Sequence, residues 1–301
     1  MKILITGGSG LVGSHLTQLM KGNGHEVRHL SRKKHNHPQA EVFEWNPNEM
    51  IVENGALDGV EVVVNLAGAG VAEKRWTADR KKALIESRIK SLQCLHEHVS
   101  KMKDPPKTLI SASGIGYYGD QAFDKVSVET DDPGETFLAE ICKAWEKEAL
   151  EFESLGMRVS LLRIGIVLDR EQGALPKMAQ PINWFAGAAL GSGEQIMPWI
   201  HILDICRLIQ FVVDNEVKGP INAVGLDPKS NANFSKSLAR ILRKPFFLPP
   251  VPGFILKLML GEMAEMVLIG NTVSNEKIQE AGFEFEFKNL DDALQEIYKV
   301  N

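Results

Sequence analysis

The stretch KILITGGSGLVG, residues 2–13, decides how the rest of the chain is read. Five residues of β character, Lys2 to Thr6, run straight into Gly7, Gly8 and Gly10. Apolar residues then recur at helical spacing, at Leu11, Leu16, Leu19 and Met20, and the pattern stops at Gly22 and Gly24. Gly8, Gly10 and Gly13 fit G-x-G-x-x-G, and Gly7, Gly10 and Gly13 fit the variant G-x-x-G-x-x-G. A lone match carries little weight, but strand, glycines and helix in that order, opening a β-α-β unit, are the context the motif needs. Glycines allow the tight turn and let backbone N–H groups approach a pyrophosphate. The first helical turn, Leu11, Val12 and Gly13, adds the partial positive charge of a helix N-terminus. The loop therefore predicts dinucleotide binding rather than a merely flexible turn.

The next strand, HEVRHLS (25–31), bears on which dinucleotide. A site for NAD wants Asp or Glu about 20 residues beyond the glycines to hold the ribose 2′-OH. Ser31 and Arg32 stand there instead, and the next acid is Glu41. A guanidinium without a carboxylate suits the 2′-phosphate of NADP, so NADPH is expected over NADH.

Strand and helix patterns alternate to about residue 168. VEVVVNLAG (60–68) is a continuous apolar run, as in a strand buried on both faces of a parallel sheet. Residues 77–102 form a long amphipathic helix with Thr77 as N-cap. KTLISAS (107–113), a helix over 134–156 and a strand over 157–168 follow. The fold class is α/β, a doubly wound parallel sheet of Rossmann type with a smaller, mostly helical C-terminal lobe. Residues 1–168 are assigned to the nucleotide domain, with 196–225 returning to it as a helix and a strand. Residues 169–195 and 226–301 are assigned to the lobe on the substrate side, with 251–270 expected as one amphipathic helix.

Composition narrows the partners. The chain has 301 residues, 44% apolar, and a net charge of −5. Its basic runs are short, Arg32-Lys33-Lys34 and Lys81-Lys82, which argues against nucleic acid. Cys94, Cys142 and Cys206 are odd in number and far apart, which fits a reduced, cytoplasmic protein and no structural metal. His35 and His37 read as a solvated loop. No segment reads as a signal peptide or membrane span, so a membrane partner is not expected. A small-molecule substrate is expected, and homo-oligomerisation is left open. Trp76, Trp184 and Trp199 can line a pocket or fill a core.

With these stretches read, the chain resembles the extended short-chain dehydrogenase/reductases, and more closely the subfamily labelled NAD(P)-dependent epimerase family protein, with its C-terminal domain of unknown function. The matching stretches are TGGSGLVG, VVNLAGAGVAEKRWT, ESRIKS, SASGIGYYGD, FLAEICKAWE, PWIHILD and EKIQEAGFEFEFKNLDDAL. They run nearly end to end. The resemblance implies a Rossmann domain carrying NADP, with Leu66, Ala67 and Gly68 beside the nucleotide, Arg88 near it and Val167 near the nicotinamide. From residue type alone, Leu66 and Val167 fit a core equally well, and Arg88 a solvated helix face.

The superfamily moves its proton through Tyr-x-x-x-Lys, aided by a Ser. The ammonium lowers the Tyr pKa from one helical turn away. This chain has no such pair. Aligning FLAEICKAWE puts Leu138 at the Tyr position and Cys142 at the Lys position, with Lys143 one residue out of register. Ser111, Ser113, Tyr117 and Tyr118 fall at the carboxyl end of the sheet, where ligands bind. Tyr118 or Tyr117, with Ser113 as hydrogen-bond partner, are the candidates for proton transfer; pocket lining is the other reading. His201 and Asp204 read as helix-capping. The expected activity is an NADP-dependent oxidoreductase or epimerase acting on a small hydroxy, carbonyl or sugar-nucleotide-like compound. A non-catalytic NADP(H)-binding sensor is the alternative.

Overall fold

The computed structural model describes residues 1–121 and 125–299. The first half of the chain forms β1 (Lys2–Thr6), α1 (Leu11–Gly22), β2 (Glu26–Ser31), β3 (Glu41–Asn46), β4 (Ile51–Val52), β5 (Val62–Asn65), α2 (Ala78–Val99), β6 (Thr108–Gly114), β7 (Val126–Ser127) and α3 (Phe137–Leu150). The second half forms β8 (Arg158–Ile164), β9 (Ile166–Leu168), α4 (Leu175–Asn183), β10 (Ile196–Met197), β11 (Trp199–His201), α5 (Ile202–Asp214), β12 (Gly219–Ala223), β13 (Lys229–Ser230) and α6 (Asn231–Ile241). It ends with α7 (Gly253–Leu260), α8 (Glu265–Leu268), β14 (Thr272–Val273), α9 (Glu276–Glu280) and α10 (Leu290–Tyr298).

The central sheet has the order β12-β8-β6-β5-β1-β2-β3-β4, parallel except for the terminal β3–β4 pair. Strand order reverses between β1 and β5, so a crevice opens there at the carboxyl ends of the strands. This is the Rossmann arrangement, and the glycine loop sits at its switch point.

Alternation along β1 sets up two cores. Ile3 and Ile5 pack with Leu16 and Met20 of α1 and with Ile205, Leu208, Ile209 and Val212 of α5. Leu4 faces the other way, with Leu92, Leu95 and Val99 of α2 and Trp145, Ala149 and Phe152 beside them. Thr77 caps α2 as expected, its Oγ1 accepting from the Arg80 N–H at 3.2 Å. A third core, around Leu175, Trp199, Phe234, Leu238, Leu290 and Leu294, holds the C-terminal lobe together.

Several expectations need correcting. The strand read over 157–168 breaks at Gly165, where an added Cβ would lie 2.7 Å from the Pro198 carbonyl oxygen. Beyond the break β9 leaves the central sheet and pairs with β11. β11 touches both halves, with Trp199 in the third core and Ile200 in the first beside α5. Residues 251–270 are not one helix: α7 ends at Leu260, and a 3-10 turn over Gly261–Ala264 separates it from α8. Gly261 adopts φ 64, which an α-helix cannot contain. The C-terminal segment is not confined to the lobe either, since Ile278, Phe283 and Phe285 pack into the core beneath α5. β3 and β4 had no assignment in the sequence. Trp76 and Trp199 are buried, and Trp184 is exposed.

Candidate cofactor groove and active site

The chain turns sharply at Gly7, whose φ of 71 places it in the left-handed region, and the Gly10 N–H closes the turn onto the Gly7 carbonyl at 3.0 Å. A Cβ on Gly13 would collide with the Gly7 carbonyl oxygen and the Gly8 Cα, so that position admits only hydrogen. The close approach lays α1 against the end of β1. The amides of Leu11, Val12 and Gly13 fall in the first turn, where the helix supplies no acceptor, and no acidic side chain stands there. This is an anion cradle made of backbone. Behind it His29 of β2 is buried. Its Nε2 lies 2.7 Å from the Thr17 hydroxyl, and burial lowers its pKa to about 4.

Ser31 ends β2, and Arg32 follows it, exposed and without an ion pair among the described residues. Lys34 is instead engaged by Glu53 at 2.5 Å. At the end of β5, Thr6 donates to Asn65 Oδ1 at 2.7 Å, and Asn65 donates to the Ser111 hydroxyl at 3.1 Å. The Ala67 N–H donates to Thr6 Oγ1 at 3.2 Å, fixing the Leu66-Ala67-Gly68 turn beside the glycine loop. Leu11, Val12, Leu66 and Val167 all pack on the same core, and Gly173 sits between the Leu11 side chain and the Val167 carbonyl. The structure thus brings the glycine loop, the Leu66-Ala67-Gly68 turn and Val167 together from three separate stretches of chain.

Arg88 is the most telling of them. It is not a solvated helix residue: it is buried against Gly68, with its guanidinium 4.7 Å over the Trp145 ring. Its Nη1 donates to the Leu84 carbonyl at 2.9 Å, and its Nε has no partner. Burial lowers its pKa to about 10, still well above neutral. A buried cation short of acceptors at the edge of the groove is arranged for an anion.

The candidates for proton transfer fare differently from one another. Ser113 and Tyr118 are brought together, but inside a closed network. Glu146 of α3 forms a bidentate pair with Arg163 of β8, Nε to Oε1 and Nη2 to Oε2, both at 2.9 Å. Ser113 donates to Glu146 Oε1 at 2.7 Å. The Tyr118 hydroxyl donates to Asn222 Oδ1 at 2.6 Å and accepts from Arg163 Nη1 at 3.0 Å. Tyr118 has no exposed surface, and burial pushes its pKa up to about 12 although Arg163 opposes the shift. Both hydroxyls are spent on structure, so the expectation of Tyr118 and Ser113 as proton-transfer groups is not carried by their geometry. Tyr117 is half-buried, with Arg163 stacked on its ring at 3.5 Å. Burial raises its pKa as well.

Leu138 and Cys142, the residues that the resemblance aligns with the Tyr and the Lys, are packing residues in α3. Leu138 lies against Gly116, and Cys142 is buried near Gly114 with its thiol pushed up to about 11 by burial. Glu146, Arg163 and Asn222 were not singled out from the sequence. Glu146 carried one signal, standing one helical turn beyond Cys142 in line with the missing pair. Arg163 and Asn222 sit inside apolar strands and gave none. His201 caps α5 through Nδ1, which accepts from the Leu203 N–H at 3.2 Å. Asp204 reaches further than its own helix, accepting from the N–H groups of Glu286 and Phe287 at 2.9 and 3.1 Å.

Comparison with known proteins agrees with this geometry. The model of the NAD dependent epimerase/dehydratase family matches residues 3–225, and a domain of unknown function, DUF1731, matches residues 251–297. Epimerase family protein YfhF of Bacillus subtilis is 34% identical over 300 residues, 99% of this chain and 98% of its own. Epimerase family protein SAR0825 of Staphylococcus aureus is 37% identical over 297 residues, 98% of each chain. Among solved structures, human epimerase family protein SDR39U1 (isoform 2), crystallised with NADPH, is similar with a TM-score of 0.88 at 28% identity, covering 100% of both chains. Rossmann sheet order, glycine loop and end-to-end similarity together make this chain a member of the NAD dependent epimerase/dehydratase family.

Proposed function

We propose that this protein binds NADPH in preference to NADH and uses it in an oxidoreductase or epimerase reaction on a small hydroxy or carbonyl compound, sugar nucleotides included. The observation that carries the reading is the pair of anion-seeking features on either side of the crevice. One is the backbone cradle of Leu11, Val12 and Gly13; the other is the buried, incompletely satisfied Arg88. Ser31 and Arg32, which has no ion pair among the described residues, stand at the end of β2, where a 2′-phosphate would be read, with no carboxylate in their place. The human relative crystallised with NADPH supports the same choice.

A bound nicotinamide cofactor supplies hydride transfer. The chain's own part is to orient and to move a proton. The first-turn amides hold a pyrophosphate, Arg32 and Ser31 a 2′-phosphate, and Arg88 a further negative group. Of the two tyrosines at the carboxyl end of the sheet, Tyr117 is the one left partly exposed. Its phenol would donate a proton to the developing alkoxide in the reducing direction, and burial raises its pKa from the ordinary tyrosine value. That polarity suits carbonyl reduction. A second reading, a non-catalytic NADPH-binding protein, is favoured by one specific observation: Leu138 and Cys142 stand where the reactive pair would be.

Titration calorimetry of nucleotide-free protein with NADPH and NADH tests the binding. Tight NADPH binding is expected, and Arg32→Ala should weaken it by about tenfold or more while leaving NADH unchanged. Equal affinity for both nucleotides would sink the NADP assignment. Reduction of a carbonyl panel that is lost in Tyr117→Phe separates the enzyme from the sensor.

A further inference from the structure

Residues 228–261 contain Lys229, Lys236, Arg240, Arg243, Lys244 and Lys257 and not one Asp or Glu, in a chain whose net charge is −5. The segment 172–193 likewise has Lys177 and no acid. Tertiary structure zips these two segments together. The Val251 N–H donates to the Ala189 carbonyl at 2.8 Å, and the Gly191 N–H donates to the Val251 carbonyl at 2.9 Å. Lys244 places its ammonium 4.3 Å over the Phe185 ring. Lys229 and Arg240 are neutralised by Asp227 and Asp291, whereas Lys236, Arg243, Lys244 and Lys257 have no ion pair among the described residues.

The same two segments carry most of the large apolar side chains that the molecule leaves in water. Trp184, Phe185, Phe247, Phe254, Leu258 and Met259 are 58% to 79% exposed. Phe254 and Leu258 are one turn apart on α7 and share a face, while Leu256 of the same helix is buried and anchors it. Phe185 holds φ 62, a strained conformation for a bulky residue. Exposed aromatic and aliphatic groups on this scale mark an interaction surface.

We propose that this face of the C-terminal lobe docks on the surface of an anionic lipid bilayer, with α7 and the Trp184-Phe185 turn entering the interface. Charge selects the occupant. Two copies meeting symmetrically through this patch would oppose Lys244, Lys257 and Arg243 with their own copies, which is repulsive. Side chains this exposed suit a soft interface better than a rigid complementary partner. Basic residues interleaved with Phe, Trp and Leu are what interfacial helices use on anionic lipid. The eight residues of α7 are too few to span a membrane, and no helix among the described residues is long and apolar enough to do so. Docking is therefore peripheral. The expectation of no membrane partner rested on the lack of a signal peptide or a spanning segment, neither of which peripheral docking needs.

The test is co-sedimentation of the full chain with vesicles of phosphatidylcholine and phosphatidylglycerol, and with phosphatidylcholine alone, at low and near-physiological salt. Binding to the anionic vesicles is expected, weaker by about tenfold or more on the neutral ones. Phe254→Ser with Leu258→Ser, and separately Lys244→Glu with Lys257→Glu, should each lower the partition coefficient by at least about tenfold while thermal melting stays cooperative. Phe254, Lys257 and Leu258 are exposed and Lys244 is half-buried, so the melting curve of each variant is read beside its partition coefficient. No sedimentation with anionic vesicles at low salt overturns the proposal. So does sedimentation that neither variant changes. Self-association that either variant abolishes, without vesicle binding, reassigns the patch to a second copy.

Discussion

Tyr118 shows how one side chain can look reactive in sequence and be structural in the fold. It stands in a glycine- and serine-rich turn at the carboxyl end of the sheet, where ligand-binding residues belong. Its hydroxyl nevertheless has both a donor and an acceptor from the protein, Arg163 and Asn222. Tyr118→Phe leaves two buried polar groups short of a partner and should cost about 1–3 kcal/mol of stability in urea denaturation. NADPH affinity should be unchanged in the same variant. A large loss of affinity without a loss of stability would show that Tyr118 faces the ligand. The neighbouring Tyr117 differs only by facing partly outward, and no property of the dipeptide distinguishes the two.

At the scale of elements, α3 and β8 are joined by the Arg163–Glu146 pair. Both side chains are almost wholly buried, and burial alone would destabilise the two charges. Burial works against the Arg163 cation, but the bidentate contact with Glu146 outweighs it and leaves the guanidinium pKa raised. Arg163→Met strands Glu146 with Ser113 as its remaining side-chain partner. The expected loss is on the order of 3–5 kcal/mol. Arg163→Met combined with Glu146→Leu should recover most of that loss, because the uncompensated charge is then gone. Denaturation midpoints of the single and double variants check this, and equal midpoints would show that the pair contributes by contacts alone. Element boundaries follow the same logic of local against distant causes. Thr77 starts α2 through a contact three residues away, which spacing reveals. The break of the 157–168 strand at Gly165 is imposed by the Pro198 carbonyl of another segment.

Over the whole molecule, two buried histidines tie stability to pH. His29 lies behind the glycine loop, and His201 lies at the start of α5 with Glu296 of α10 against its Nε2 at 3.1 Å. Burial is the main cause in each case, and it holds both pKa values at about 4 against an ordinary 6.5. Between pH 6.5 and 4 the unfolded chain binds protons that the folded chain refuses. The stability contributed by each neutral histidine is complete above pH 6.5 and is lost as pH falls through 4, by on the order of 3 kcal/mol at most. Melting temperature should therefore fall over that window, and His29→Gln should flatten the fall. Parallel profiles for the two proteins would count against the assignment. His201 and Asp204 also bind the far end of the chain back to α5, so the C-terminal segment belongs to both halves of the molecule.

The sequence by itself determined the Rossmann sheet and the glycine cradle, because both rest on short-range causes. Period-two and period-3.6 apolar patterns, a Thr cap and glycines at fixed offsets act within a few residues of themselves. It also showed the gap in the chemistry, since a missing Tyr-x-x-x-Lys is visible as letters. Tertiary structure alone decided which hydroxyls are free, that Arg88 is buried with its Nε unpartnered, and that the 172–193 and 228–261 segments are bridged at Ala189, Gly191 and Val251. Those properties belong to pairs of residues far apart in the chain, such as Tyr118 and Asn222, 104 positions apart. Burial, which sets their pKa values and their partners, exists only once the sheet has closed over them.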